Sequence, residues 1–125
     1  MFKRIFNFVF WIYLLALLIL NVIPDVPAPE IKTGDEWIRL DYAIHFLMYF
    51  IAGLLLYYSQ KSTGQRAVFL HLSVMVIYAG FSEILQLWIP GRTFNPVDLV
   101  YNLLGVVVGT LLPLVLIKKK FSNTH

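Results

Sequence analysis

The chain has 125 residues, 59% of them apolar, 16% aromatic and only 14% charged, with no cysteine and a mean hydropathy of +0.75. A water-soluble domain carries about 25% charged residues, so this composition lacks the polar surface needed to cover a globule, and a bilayer is the expected solvent. The absence of cysteine excludes disulfides, thiolate zinc sites, iron–sulfur clusters and a cysteine nucleophile. The net charge of +3 reads as membrane topology rather than nucleic-acid binding, because Lys3, Arg4, Lys61, Arg66 and the run Lys118, Lys119, Lys120 all flank apolar stretches.

In chain order, residues 5–23 form the first apolar segment. Its core exceeds the about 7–15 residues of a signal peptide and no small-x-small cleavage pattern follows, so it reads as a retained span. The loop Pro24-Asp25-Val26-Pro27-Ala28-Pro29 is stiffened by proline and is expected to start extended, with Asp35-Glu36-Trp37-Ile38-Arg39-Leu40 forming a short interfacial turn beyond it. Further spans are expected over residues 42–58, 67–89 and 99–117, each near the ~20 residues that a helix rising 1.5 Å per residue needs to cross the hydrocarbon. The reading is an all-α, integral-membrane four-helix bundle forming one domain over residues 1–125. Asn95 is positioned to cap the last helix, with Pro96 in its first turn and Asp98 complementing the exposed N–H groups.

The lysines and arginines concentrate at both termini and in the loop at residues 59–66, which places those segments in the cytoplasm and the other two loops outside. Asp25, Glu30, Asp35, Glu36, Asp41, Glu83 and Asp98 then all lie in or near the outer half, with Trp37 and Trp88 as outer interfacial anchors and Tyr57 and Tyr58 as inner ones.

Three sets of polar residues stand out against the apolar background. Asp41, His45 and Tyr49 recur every four residues and form a stripe down one helix face. Glu83 and Gln86 share a face of the third span, and a carboxylate as deep as Glu83 costs about 2–3 kcal/mol unless it is protonated, paired or hydrated. Arg92 precedes Asp98, Asn102, Gly105 and Gly109, whose spacing turns one face of the last helix from polar to glycine-lined, the GxxxG of Gly105 and Gly109 permitting close helix packing. His71 and Asn7 have structural explanations, and Asn21 lies where it would border an outer site.

The ordered combination Asp41-x-x-x-His45-Phe46-x-x-Tyr49, Ser82-Glu83-x-x-Gln86, Pro90-x-Arg92 and Asp98-x-x-x-Asn102-x-x-Gly105-x-x-x-Gly109 resembles the VanZ-like family of small bacterial membrane proteins, named for a teicoplanin-resistance protein. The resemblance implies a multi-pass protein of the bacterial cytoplasmic membrane linked to the cell envelope and to antibiotic resistance. It departs from the family at Tyr42, where lysine often follows the aspartate.

Together these residues are expected to form an outward-facing pocket in which Asp41, His45, Tyr49, Glu83, Gln86, Arg92, Asp98 and Asn102 bind a lipid, a lipid-linked molecule or a glycopeptide. An alternative makes His45 and Glu83 an acid–base pair acting on a lipid-linked substrate, and another uses them for proton-coupled transport. Neither a nucleophile motif nor a metal-ligand pattern is present, and no cofactor and no nucleic-acid partner are expected. Whether the protein is an enzyme and how it oligomerises stay open.

Overall fold

The computed structural model describes residues 1–24, 30–33, 36–60 and 64–122, with side chains described for residues 1–24, 31–32, 40–60 and 64–116. Four helices dominate it: α1 (Phe2–Val22), α2 (Asp41–Ser59), α3 (Gln65–Leu85) and α4 (Pro96–Ser122). Each is long and apolar enough to cross a membrane. Their outward faces carry large apolar side chains such as Trp11, Leu15, Phe69, Ile77 and Val115, as hydrocarbon surroundings require.

The inward faces follow helical spacing. Phe10, Leu14, Leu17 and Asn21 form the buried stripe of α1, and Met75, Ala79, Ser82 and Glu83 form that of α3. They meet Tyr49, Ala52 and Leu56 of α2 and Val106 of α4 in one core. Two tyrosine hydroxyls tie helices together through backbone carbonyls: Tyr13 donates to Met48 at 2.9 Å and Tyr78 donates to Leu14 at 2.5 Å.

The most extensive helix pair is α2 with α4. Gly105 and Gly109 lie directly against the α2 backbone at Phe46 and Phe50, and Gly53 of α2 lies against the α4 backbone at Val106 and Thr110. A Cβ at any of these three glycines would collide with backbone, so the seam depends on small residues from both helices.

Two local features differ from the sequence expectation. The segment between α1 and α2 contains an antiparallel hairpin, β1 (Glu30–Thr33) with β2 (Glu36–Arg39), in which Ile31 pairs with Ile38 and Lys32 with Trp37. Two residues, Gly34-Asp35, separate the strands in sequence, a spacing and composition that suit a tight hairpin better than the turn expected over residues 35–40. Residues 25–29, where extended backbone was expected, lie outside the described residues, as do the side chains of Glu30, Glu36, Trp37 and Arg39, residue Asp35 and the side chains of the lysines at 118–120.

The third span also ends earlier than expected. After Leu85 the chain tightens into a 3-10 turn, Gln86–Trp88, and Ile89 is extended, because Pro90 disfavours helical backbone in the residue before it. Ile89-Pro90-Gly91-Arg92 is then a turn closed by an Arg92 N–H to Ile89 carbonyl bond of 3.1 Å, with Gly91 at φ 78°. The start of α4 agrees with expectation: it begins at Pro96, and Asn95 caps it by accepting from the Val97 N–H at 3.0 Å.

Candidate functional site

At the hairpin end of the bundle, α1 and α3 finish and α2 and α4 begin, and the polar residues of all four helices converge there. The centre is Glu83, which is fully buried. Its Oε1 accepts a hydrogen bond of 2.9 Å from Asn102 Nδ2, also fully buried. Because the amide nitrogen is engaged with Glu83, Asn102 Oδ1 is left as acceptor for His45 Nδ1 at 3.0 Å. A continuous chain thus runs from α2 through α4 to α3: His45, Asn102, Glu83.

His45 is the outlet of this chain. Its side chain is 15% exposed, and its Nε2 lies 3.8 Å from Asp98 Oδ2. That distance exceeds a direct hydrogen bond, so the pair interacts through charge when both ring nitrogens carry protons, or through a group held between them. Asp98 sits in the first turn of α4, as expected of a residue that complements a helix N-terminus.

Around the chain lies a second polar layer. Tyr49, one turn below His45 on α2, shares a 2.7 Å bond with Ser82, whose hydroxyl also donates to the Ala79 carbonyl at 2.9 Å. Gln86 donates a long bond, 3.5 Å, to Asn21 Oδ1 on the last turn of α1. Arg92 donates through Nε to the Ile23 carbonyl at 3.0 Å, closing the end of α1.

Of the eight residues expected at the site, His45, Glu83, Asp98 and Asn102 form the centre, while Tyr49, Gln86 and Arg92 surround it. Asp41 begins α2 a turn above His45, half-buried, with its carboxylate accepting from the Tyr42 N–H at 3.1 Å. The route from His45 to Glu83 passes through Asn102 and not through Asp41. Tyr42, which stands where the family often has lysine, stacks on Tyr101 with ring centres 5.4 Å apart.

Two further residues join the eight. Ser82, which the sequence shows only as part of the Ser82-Glu83-x-x-Gln86 pattern, lies four residues before Gln86 and shares its helix face. Asn21, expected at the border of the site, lies on the buried stripe four residues after Leu17 and faces inward. His71 bonds the Ala67 carbonyl of its own helix, and Asn7 is exposed, so both stay outside the site.

Among the described residues, the buried Glu83 Oε2, an acceptor, and Asn21 Nδ2, a donor, are left without a hydrogen bond inside standard distance. Among the described residues, no group of three or more His, Cys, Asp or Glu side chains is arranged to hold a metal ion.

Comparison with known proteins bears on this cluster, because every residue of it falls within one family match. The model of the family VanZ/LLP1 matches residues 8–117. The chain belongs to the VanZ/LLP1 family. Among curated proteins it is similar to an uncharacterized protein of the fission yeast Schizosaccharomyces pombe, C11E3.10, with 28% identity over 113 residues, which is 90% of this chain and 66% of that protein. The chain therefore spans just under two thirds of this relative's length. No solved structure matches.

Proposed function

We propose that this family member is a multi-pass membrane protein that binds or remodels a lipid or lipid-linked molecule through the polar cluster at the hairpin end. The observation that carries the reading is Glu83: a fully buried carboxyl group, one oxygen of which has no hydrogen-bond partner among the described residues, connected by Asn102 to the partly exposed His45. A helix bundle that needed only packing would be served better by apolar side chains there, since each unsatisfied polar group in hydrocarbon costs several kcal/mol. Polar groups held at that cost in a water-poor setting suit recognition of a polar head group.

In this reading the hairpin end faces the outside of the membrane, an orientation supported by the lysines and arginines at the opposite end. Arg92 attracts phosphate or carboxylate, and His45 and Asp98 form the partly exposed rim. An amphiphile held or displaced there would change how a lipid-tailed glycopeptide such as teicoplanin meets the envelope, which is the link that the family name suggests.

The test is native mass spectrometry of the purified protein against a panel of envelope lipids. The wild-type protein should retain a head-group-selective set, and the Arg92→Ala, His45→Ala double variant should lose it at least tenfold. Equal retention by the two proteins would sink the reading.

One observation favours a second reading, in which His45 and Glu83 act as an acid–base pair. The Asn102 amide links them directly, and turning it over reverses the direction of both hydrogen bonds: His45 Nδ1 then accepts and a protonated Glu83 donates. The pair could in this way exchange a proton with a substrate at His45. Turnover of a lipid-phosphate panel that disappears in Glu83→Gln supports this reading; mass change without that dependence removes Glu83 from the chemistry.

A further inference from the structure

At the end of the bundle opposite the hairpin, α3 and α4 part. They are tied nearer the hairpin by the 2.9 Å bond between Asn102 and Glu83, but beyond it α4 follows α2, whose backbone it touches at Gly105 and Gly109. The start of α3 is left standing off the second half of α4, and between them lies a groove of about 440 Å³. Val68, Phe69 and Leu72 of α3 form one wall, and Leu111 and Leu114 of α4 form the other. Gly64 and Gln65, both exposed, make its mouth at the start of α3. From Gln65 to Leu72 the wall is about 10 Å long at the helical rise per residue.

The groove has an apolar bed and a polar mouth, so it suits an amphiphile that lays a hydrocarbon chain along the leucines. A helix of a second copy, about 10 Å across with its side chains, is too wide to seat there, whereas one acyl chain is narrow enough. Charge decides the head group. Arg66, which is exposed, stands next to Gln65, and Lys118 follows Leu114 by one turn of α4. Lys61, Lys119 and Lys120 add to the same end of the chain. No acid lies between Asp41 and Glu83 or after Asp98, and the first turn of α3 holds none. The start of α3 adds the positive end of its helix dipole. A head group of net negative charge gains from all of these, while a zwitterionic one sets its own cation against them.

We propose that this groove is a second lipid site, which takes one acyl chain of an anionic phospholipid and holds its phosphate at Gln65 and Arg66. It is separate from the polar cluster at the hairpin end, since α3 contributes its first two turns here and its last turn there. The two sites therefore stand or fall separately.

The experiment uses the full chain in detergent with phosphatidylglycerol and phosphatidylcholine, identical but for the head group, each carrying a photoreactive diazirine midway along one acyl chain. Labelled peptides are mapped by mass spectrometry. Labelling is expected to concentrate on residues 68–72 and 111–114, well above the exposed α1 face at Trp11 and Leu15, and to be about tenfold stronger from phosphatidylglycerol than from phosphatidylcholine. Arg66→Gln should lower labelling by phosphatidylglycerol about fivefold and leave that by phosphatidylcholine unchanged. Leu111→Trp, at a position partly exposed to lipid, should fill the groove and remove labelling of residues 68–72 by either lipid, with the denaturation midpoint recorded to show that the fold is intact. The Arg92→Ala, His45→Ala double variant should label as the wild type does.

Labelling spread evenly over the lipid-facing sides of all four helices would make the groove ordinary solvated surface and overturn the inference, and this arm needs no variant to fold. Equal labelling of the groove by the two lipids would overturn it as well. A lipid-free dimer as the main species, broken by Leu111→Trp, would assign the groove to a second copy instead. Loss of groove labelling in the Arg92→Ala, His45→Ala variant would return the lipid to the cluster and remove the second site.

Discussion

One face of α4 meets its neighbours on two different terms. From Gly105 to Thr110 it lies against α2 with glycine on both sides, backbone on backbone, and the Thr110 hydroxyl reaches the Gly53 carbonyl at 3.5 Å. One turn nearer the hairpin end the same face carries Asn102 and Asp98, which reach across to α2 and α3 through side chains and leave buried polar atoms without partners in the cluster around them. At the three seam glycines backbone already fills the space that a side chain would take. The polar cluster holds capacity in reserve. On the proposed function, stability resides in the first region and recognition in the second, and substitutions should separate the two.

The largest expected effect is at the seam. Gly109→Val pushes a branched side chain into the Phe50 backbone and should cost about 3 kcal/mol, read as a lowered midpoint in denaturant titration in detergent. A variant of unchanged midpoint would show that the two helices can move apart freely, and the contrast between regions would fail. Next comes Asn102→Leu, which strips partners from His45 Nδ1 and Glu83 Oε1 at once and should cost about 2–3 kcal/mol while abolishing lipid selectivity.

Tyr49→Phe removes one buried hydroxyl, but Ser82 keeps its bond to the Ala79 carbonyl, so the expected loss is about 1 kcal/mol with selectivity retained. Loss of selectivity in this variant would extend the recognition region a turn deeper into the bundle. The smallest effect is expected at Thr110→Val, at most about 0.5 kcal/mol, because its hydrogen bond is long.

How much of this was readable from residues alone differs between the same two regions. The seam was legible in the Gly105–Gly109 spacing on α4, but its counterpart, Gly53, was not, because a lone glycine in an apolar helix carries no mark of what it faces. In the cluster, His45, Glu83 and Asn102 were legible as residues that hydrocarbon rejects. Their pairing was not. Helical spacing put Asp41 directly above His45, yet His45 looks across to Asn102 and Asp98, since the partner is set by how α2 and α4 cross rather than by position along α2.

The end of α3 illustrates the same limit at the level of backbone. Hydropathy continues through Ile89, so the apolar run extends the helix, whereas Pro90 and the 3-10 turn stop it earlier and set Gln86 and Arg92 facing the end of α1. The hairpin was masked by the prolines before it, although Gly34-Asp35 between two short polar–apolar stretches is a turn signal in its own right.

The most direct measurement takes Glu83→Gln and wild-type protein side by side and records both the denaturation midpoint and the retained lipids. The substitution keeps shape and the Oε1 acceptor for Asn102, so a recognition role predicts a midpoint within about 1 kcal/mol of wild type and lipid selectivity lost at least tenfold. The opposite pattern, a protein that is strongly destabilised and still binds the same lipids with the same selectivity, would make Glu83 a packing residue and contradict the account.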